Sequence, residues 1–343
     1  MWFGLSDGQE AEVPEKLISA YAEGRLALFV GAGASVAPPS GLPTFQELTE
    51  KLCNESHAPP PEQGTTIDKA LGGLERKGVD VHQRVKTIVS SSESKPNALH
   101  NAIAELAAVK QPRIVTTNYD RHLSACLGER LGGGFEEYPS LAFPQREGFT
   151  GIVYLHGSVK EPAEHLVVTD VDFGRAYLET PWTAAQFLSR VFRSSTVLFV
   201  GYSHDDTLME YLARALPADE TDRFALCSQK EAENELWQQR GIKPISYGAH
   251  QALPELLGKW AERARMGILD HRQRVKTILQ GAPPLSREDE SYLQETVRTP
   301  ERLRFFTESA RGAEWLRWAK ELPDFRRIFD PRADLQPNGL WAQ

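Results

Sequence analysis

The chain has few cysteines, no long apolar run and no excess of basic residues. Its 343 residues include three cysteines, Cys53, Cys126 and Cys227. No two of them have the Cys-x-x-Cys spacing of a zinc ribbon, which excludes a structural zinc site with four cysteine ligands. Because few and unpaired cysteines are typical of a reducing compartment, we expect a cytoplasmic protein.

Other absences exclude further classes of protein. No run of about 18 apolar residues is present, so we expect no membrane-spanning helix. The first residues, Met1 to Asp7, lack the basic region and apolar core of a secretion signal. The formal net charge is −8, so we expect no direct binding to nucleic acid.

The most informative segment is the apolar run 26–30 and the turn that follows it. The turn consists of small residues, Gly31, Ala32, Gly33, Ala34 and Ser35. This pattern is typical of a parallel strand that ends in a phosphate-binding turn, because small residues let backbone N–H groups approach an anion. Val36 stands where the dinucleotide fingerprint has its third glycine. Taken alone, the segment also fits a tight turn with a purely structural role.

Three later apolar runs end in a similar way. The run 114–116 leads into Thr117, Asn118, Tyr119 and Asp120; the run 152–155 leads into His156, Gly157 and Ser158; the run 197–200 leads into Gly201, Tyr202 and Ser203. In open α/β sheets ligands bind outside the carboxyl ends of the strands, so we expect these four endings to meet at one crevice. Alternating strands and helices predict an α/β fold with a doubly wound parallel sheet.

The remaining pattern places the other elements. Helices are predicted over 13–25, in an insert over 45–110 that Thr44 and Glu47 begin as a capping box, and over 208–216. Further strands are predicted at 135–138, 166–168, 223–227 and 244–247. The hexamer Gln-Arg-Val-Lys-Thr-Ile occurs at 83–88 and again at 273–278, and we interpret both copies as amphipathic helices.

The composition changes near residue 262, so we divide the chain into a sheet domain over 1–262 and a helical tail over 263–343. Thr299, Pro300 and Glu301 open an amphipathic helix that carries Phe306 and Trp315. Exposed aromatic side chains would need cover. The tail is therefore predicted to be an oligomerisation or regulatory surface, or the start of a longer C-terminal region.

Five segments, in this order, resemble the sirtuin family. Residues 31–35 are similar to the sirtuin sequence Gly-Ala-Gly-x-Ser, and residues 41–46 to Gly-Ile-Pro-Asp-Phe-Arg, with Thr44 for Asp and Gln46 for Arg. Residues 117–120 resemble Gln-Asn-Ile-Asp, residues 155–158 the segment of the catalytic histidine, and residues 201–203 Gly-Thr-Ser.

The resemblance implies a fold and an activity. Sirtuin deacylases carry a zinc ribbon, and its loss here, together with the changed Thr44 and Gln46, argues against protein deacylation. The chain is similar to the zinc-free, sirtuin-like domains of bacterial anti-phage (abortive infection) proteins. That similarity implies a sirtuin-like Rossmann fold without zinc, and cleavage of NAD+, as substrate, to nicotinamide and ADP-ribose.

Three residues are the candidate catalytic groups. The amide of Asn118 can donate and accept hydrogen bonds at ribose hydroxyls or a water. The resemblance implies that Asp120 binds the nicotinamide carboxamide. His156 is the natural base for a water or a ribose hydroxyl, because its side chain titrates nearest neutral pH. Asn118 and Asp120 also suit a turn or a helix N-cap, which remains the alternative.

A second group of residues is predicted to bind the cofactor. Ser35 and Ser203 are predicted to donate to phosphates, and Ser228 to contact the adenine-side ribose. The full set is Gly31, Ala32, Gly33, Ala34, Ser35, Phe45, Thr117, Gly201, Tyr202, Ser203 and Ser228. Asp205 and Asp206 are expected to favour a helix N-terminus. We interpret His57, His82, His100, His122 and His250 as surface or packing residues.

Continuous NAD+ hydrolysis would kill the host, so the resemblance implies a triggered effector. We expect control by a homo-oligomer, a sensor or regulatory partner, or a downstream domain. Two other functions remain open at this point: a non-catalytic module that senses NAD+ or a derivative of ADP-ribose, and an ADP-ribosyltransferase.

Overall fold

The computed structural model describes residues 1–61, 65–139, 142–144, 148–178, 184–203 and 222–322. The chain forms two compact units. The larger is Pro14–Ala261, and the smaller joins Met1–Val13 to the residues from Glu262 onward. The predicted division at residues 262 and 263 stays a prediction. The structure adds that the N-terminal residues group with the C-terminal helices.

The larger unit contains a parallel sheet, seven-stranded in the described residues. In order across the sheet the strands are β5-β6-β4-β3-β7-β8-β9. After β3 the chain builds one side of the sheet and then, from β7, the other, which confirms the doubly wound α/β fold. The bounds are β1 Trp2–Gly4 and β2 Glu10–Glu12 in the smaller unit, and β3 Leu26–Val30, β4 Arg113–Thr116, β5 Glu136–Tyr138, β6 Gly151–Tyr154, β7 Thr196–Val200, β8 Arg223–Cys227 and β9 Lys243–Ser246 in the larger.

The central strands are mostly apolar because both faces of the sheet are covered. Every residue of β3, β7 and β8 is buried, as expected for parallel strands between helical layers. Phe29 on β3 packs against Phe192 and Phe199, with ring centroids 5.2 and 5.3 Å away. The register pairs Val30 with Val200, so β3 and β7 end at the same level.

The predicted helical insert between β3 and β4 is confirmed. At its start, the hydroxyl of Thr44 accepts from the Glu47 N–H while the Glu47 carboxylate accepts from the Thr44 N–H, which is the predicted capping box. The helices of the larger unit are α1 Glu15–Ala22, α2 Phe45–Glu55, α3 Ile67–Arg76, α4 Val81–Val89, α5 Ala98–Val109, α6 His122–Leu131, α7 Asp170–Leu178, α8 Ala184–Ser194, α9 Gln229–Ala232, α10 Leu236–Gln239 and α11 Ala252–Arg265, whose last turn belongs to the smaller unit.

The strand predicted at 166–168 is wrong. These residues follow a short 3-10 helix, Ala163–His165, and form no ladder with the sheet. Their apolar character has another cause: Leu166 and Val168 pack into the core of the helical insert, while Val167 packs against the core beside the sheet. The predicted helix over 208–216, with Asp205 and Asp206 before it, lies outside the described residues.

The smaller unit has a core of its own. Strands β1 and β2 form an antiparallel hairpin, and the Gly4 N–H donates to the Glu288 carboxylate at 3.0 Å. Phe306 and Trp315 are buried within this unit. Other residues of the tail therefore cover these aromatic side chains. The helices are α12 Ile268–Leu279, α13 Arg287–Arg298, α14 Pro300–Ser309 and α15 Ala313–Glu321. Both copies of the repeated hexamer are helical, as predicted, within α4 and α12.

The loops after β3 and β7 are packed backbone against backbone. The N–H groups of Gly31 and Gly33 donate to the carbonyl oxygens of Val200 and Gly201, both at 2.9 Å. Gly201 has a φ of +73°, and a Cβ atom placed there would lie 2.6 Å from the backbone nitrogen of Ala34. Glycine is therefore required at position 201 by conformation and by space.

We expect Gly201→Ala to lower the free energy of unfolding by about 2 kcal/mol, because it combines left-handed strain with a backbone clash. Chemical denaturation measures the change. Gly128→Ala is the matched control: it lies in α6, where an added methyl group meets no atom within 4 Å, so it should be neutral or stabilising by up to about 1 kcal/mol. Equal effects of the two changes would contradict the close approach of the loops.

Candidate functional site

Two cavities lie at the carboxyl ends of the central strands. The inner one has a volume of about 60 Å³ and the outer one about 670 Å³, and Ala32 and Phe45 line both. Predicted site residues on the inner cavity are Ser35, Thr117, Asn118, Asp120 and His156, and those on the outer one are Gly33, Gly201, Tyr202 and Ser203. The structure thus brings all three candidate catalytic residues to one cavity.

Three predicted residues line neither cavity. Gly31 and Ala34 belong to the turn after β3, which packs against the loop after β7. Ser228 caps α9 by accepting from the Glu231 N–H. The N–H groups of Gly31, Gly33 and Ala34 all donate to carbonyl oxygens. These three N–H groups are therefore satisfied within the protein, and the anion-binding role predicted for the turn stays a prediction. Because its residues are small, the turn allows a ligand to approach its backbone closely.

The hydroxyl of Ser35 is the hub of a buried network. It donates to Asp120 Oδ2 at 2.7 Å and accepts from Asn118 Nδ2 at 3.2 Å. His100 Nε2 lies 3.1 Å from the same oxygen. One donated and two accepted bonds saturate a hydroxyl group. In this structure Ser35 positions Asn118 and Asp120, and its predicted contact with a phosphate stays a prediction.

Asn118 lines the inner cavity and has one side-chain polar atom without a partner among the described residues. Its backbone N–H donates to Thr116 Oγ1 at 3.0 Å and its side-chain nitrogen to Ser35. Its side-chain oxygen, Oδ1, is buried and has no hydrogen-bond partner in the described part of the chain. A buried amide oxygen without a partner costs about 1–3 kcal/mol. A ligand or water that donates to Oδ1 would recover that free energy.

Asp120 both supports a helix N-terminus and lines the inner cavity. Its Oδ1 accepts from the backbone N–H of His122 at 3.0 Å, at the start of α6, and its Oδ2 accepts from Ser35. The carboxylate therefore supports the helix N-terminus, as the alternative interpretation expected. It also lines the inner cavity, so the predicted contact with a carboxamide stays compatible with the geometry.

His156 is neutral and held from one side. Its Nε2 lies 2.8 Å from the hydroxyl of Tyr177, and its ring meets Phe173 edge-on at 5.0 Å. Burial lowers the pKa of His156 to about 3. A neutral imidazole can accept a proton, but the apolar surroundings make the imidazolium costly.

His100, interpreted from the sequence as a surface or packing residue, belongs to the buried network of the site. The Asn97 N–H donates to its Nδ1 at 3.2 Å, so Nε2 carries the ring hydrogen and donates to Ser35. Burial lowers the pKa of His100 to about 4. The signal was present in the pattern: His100 lies on the same face of α5 as the apolar Ile103 and Ala104, where a polar residue needs a buried partner.

The outer cavity adds polar groups that the sequence analysis did not assign to the site. The hydroxyl of Tyr247 lies 2.9 Å from His250 Nδ1, and both residues line this cavity with Glu231. Burial raises the pKa of Tyr247, so its hydroxyl is a hydrogen-bond donor and acceptor at neutral pH. At the boundary of the two cavities the hydroxyls of Thr117 and Tyr202 lie 3.1 Å apart.

Neither a metal cluster nor a membrane span is found in the described ranges. No three His, Cys, Asp or Glu side chains there are arranged to hold a metal ion, and the predicted absence of zinc stays a prediction. No described helix combines the length and the apolar character that crossing a bilayer requires.

The fold and the site define an α/β protein of the Rossmann-like class. Residues 112–245 match the sequence model of the SIR2-like domain family. The matched range runs from just before β4 into β9, so it includes Asn118, His156 and Gly201.

Two curated proteins are similar over a larger part of the chain. The uncharacterized protein y4cA of Sinorhizobium fredii (strain NBRC 101917 / NGR234) is 30% identical over 266 residues, which are 69% of this chain and 22% of that protein. The NAD(+) hydrolase ThsA of Cytobacillus dafuensis is 27% identical over 206 residues, 58% of this chain and 39% of that protein. The chain thus spans between a fifth and two fifths of the length of these relatives.

Solved structures of sirtuins resemble the fold more distantly. The crystal structure of a Sir2 homolog–NAD complex is 16% identical, with a TM-score of 0.40, and the match covers 74% of this chain and 95% of that one. A structure described as the basis for the mechanism and regulation of Sir2 enzymes is 18% identical, with a TM-score of 0.39 over 74% and 98% of the two chains.

We expect Ser35→Ala to lower the free energy of unfolding by at least about 3 kcal/mol, because three buried polar groups lose their shared partner. Ser40→Ala is the matched control. Ser40 is as buried as Ser35, at 3% exposure, but its hydroxyl makes one bond, to the Lys95 carbonyl at 2.8 Å, so its loss should cost about 1 kcal/mol. If urea unfolding showed equal losses of unfolding free energy for the two variants, that result would contradict the role of Ser35 as the shared partner of three buried groups.

The lowered pKa values of His100 and His156 predict a pH dependence of stability. Both histidines stay neutral when folded and take up protons below pH of about 6.5 when unfolded. The unfolded state then binds more protons, so stability falls as the pH falls. Between pH 6 and pH 5 each should contribute a slope of about 1.2 kcal/mol per pH unit. His156→Gln removes one contribution, and identical slopes for the variant and the parent protein would contradict the neutral, buried state.

Proposed function

We propose that the chain hydrolyses NAD+ to nicotinamide and ADP-ribose. The observation that carries the proposal is the pairing of two groups in the inner cavity: the buried, unpartnered Oδ1 of Asn118 and the neutral imidazole of His156. A module that only binds a nucleotide has no need for an acceptor and a base in one enclosed site. The similarity to an NAD(+) hydrolase supports the same activity.

The chemistry requires little acid catalysis. When the bond between nicotinamide and ribose breaks, its electron pair goes to the pyridinium nitrogen and nicotinamide leaves as a neutral molecule. Positive charge develops on the ribose, and a water adds to its C1′ carbon and loses one proton. Asn118 Oδ1 is suited to orient that water or a ribose hydroxyl, and His156 to accept the proton.

The larger cavity suits the remainder of the substrate. It is continuous in its lining with the inner one through Ala32 and Phe45. The hydroxyls of Ser203 and Tyr247 and the carboxylate of Glu231 can form hydrogen bonds with a phosphate or a ribose. Ser228 forms the capping box of α9 with Glu231. A ribose in contact with Ser228, as predicted, would therefore also lie next to Glu231.

We further propose a role in anti-phage defence, in which a trigger releases the activity and NAD+ is depleted. The resemblance to zinc-free, sirtuin-like defence domains supports this role. Since unrestrained hydrolysis would be lethal, we place the control in a homo-oligomer, or in a sensor or regulatory partner or region.

The proposal predicts that Asn118→Ala and His156→Ala each abolish nicotinamide release. Loss of the base alone should lower the rate by about 10²–10⁴-fold. The measurement is incubation of the purified protein with NAD+ and chromatographic separation of the products. Asn54→Ala and His165→Ala are matched controls, because both side chains are exposed and should leave the rate unchanged. Circular dichroism verifies that each variant is folded.

Three outcomes separate the alternatives. Full activity of both Asn118→Ala and His156→Ala would contradict the catalytic assignment. Calorimetric binding of NAD+ without release of nicotinamide would identify a sensing module. Release of nicotinamide with ADP-ribose found covalently on protein by mass spectrometry would identify an ADP-ribosyltransferase.

A further inference from the structure

The two ring nitrogens of His156 have different surroundings. Nε2 lies 2.8 Å from the Tyr177 hydroxyl, whereas the described residues provide no hydrogen-bond partner for Nδ1. His156 and Phe173 belong to the lining of the inner cavity, and Tyr177 does not. Tyr177 thus holds the imidazole from behind, and the nitrogen left to face the cavity is Nδ1.

We propose that Tyr177 is a positioning residue of the reaction: its hydroxyl oxygen accepts the Nε2–H of His156 and so keeps Nδ1 unprotonated as the base. The inference rests on the proposed function. Neutral imidazole carries one ring hydrogen, and the bond made by one nitrogen decides which tautomer is present. The lowered pKa of His156 is consistent with this neutral form.

Helix α7 fixes the tyrosine from outside the cavity. Asp172 lies in the first turn of the helix, and its carboxylate accepts from the backbone N–H groups of Val168 and Thr169, just before the helix, at 3.1 and 2.8 Å. His82 Nε2 lies 2.7 Å from the same carboxylate. These contacts fix the start of α7, and Tyr177 is further held by its own stacking.

Near the end of α7 the ring of Tyr177 stacks on Phe173, with centroids 5.8 Å apart and an interplanar angle of 13°. The Tyr177 ring also meets the imidazole of His156 edge-on at 6.1 Å. A rigid helix and two ring contacts therefore set where the hydroxyl lies. Such fixed partners are what orient a catalytic base.

The proton balance follows from this arrangement. The glycosidic C–N bond breaks with its electron pair on nicotinamide, and a C–O bond forms between C1′ and water. The water proton passes to Nδ1 of His156, and the imidazolium keeps its Nε2–H bond to the Tyr177 oxygen. Release of the proton from Nδ1 to solvent restores the neutral ring and completes the cycle.

The test combines kinetics with the tautomer of His156. We expect Tyr177→Phe to lower kcat for nicotinamide release by about 10- to 100-fold, by analogy with the loss of a hydrogen-bond partner that orients a metal-ligating histidine, with KM changed by less than about twofold. In ¹⁵N NMR of histidine-labelled full chain, assigned with His156→Gln, the parent protein should show His156 protonated at Nε2. Tyr177→Phe should show a mixture of tautomers.

Tyr292→Phe is the matched control, because it removes a second buried hydroxyl that lies 2.8 Å from a histidine nitrogen, Nδ1 of His271. That pair lies in the smaller unit, so kcat and the His156 signal should not change. A parent protein protonated at Nδ1, an unchanged kcat in Tyr177→Phe, or a raised kcat would each overturn the proposal. If the parent released no nicotinamide, the proposed function would fail, while the NMR spectrum would still decide the tautomer.

Discussion

The hydroxyl of Ser35 links three chain segments that are far apart in sequence. It follows β3, Asn118 and Asp120 follow β4, and His100 lies on α5 of the helical insert. Because all these side chains are buried, each must find a partner inside the protein. The requirement fixes the turn after β3 against the insert. It also aims Oδ1 of Asn118 and lets Asp120 serve both the start of α6 and the inner cavity.

Under the proposed function, the inner cavity encloses the reacting bond and the outer cavity binds the rest of the substrate. The inner one is small and has apolar walls from Leu42, Phe45 and Leu48, so a developing charge there meets few mobile waters. The outer one is an order of magnitude larger in volume and adds further polar groups, among them Glu231 and Tyr247. A substrate that fills both would have its reacting bond in the small inner cavity and its anchoring groups in the outer one, where binding free energy is available to position the bond.

Much of the fold could be predicted from the sequence, because it depends on local signals. Runs such as 26–30 and 197–200 are apolar throughout, and Thr44 with Glu47 marks a helix start by its own chemistry. The segment 166–168 has the same apolar character, yet it is buried between two cores without pairing. No local sequence pattern distinguishes an unpaired segment whose side chains pack into a core from a strand that is buried within a sheet.

The site was predictable in part for the same reason. Asn118, Asp120 and His156 could be predicted because they follow strands of a parallel sheet, whose carboxyl ends meet at one edge. The bonds of Ser35 to His100 and of His156 to Tyr177 span 65 and 21 residues, and no spacing rule connects them. The N–H groups of Gly31 and Gly33 donate to Val200 and Gly201, because β7 ends level with β3. This pairing of two distant loops has no local signal at the turn, whose anion-binding role stays a prediction.

The hairpin β1–β2 has a consequence for the order of events during synthesis. The helix that it contacts, α13, lies about 280 residues later in the chain. The larger unit between them is therefore synthesised before that helix is made. The hairpin can pack on α13 only after the larger unit has left the ribosome, so the smaller unit is assembled after the larger one although it contains β1.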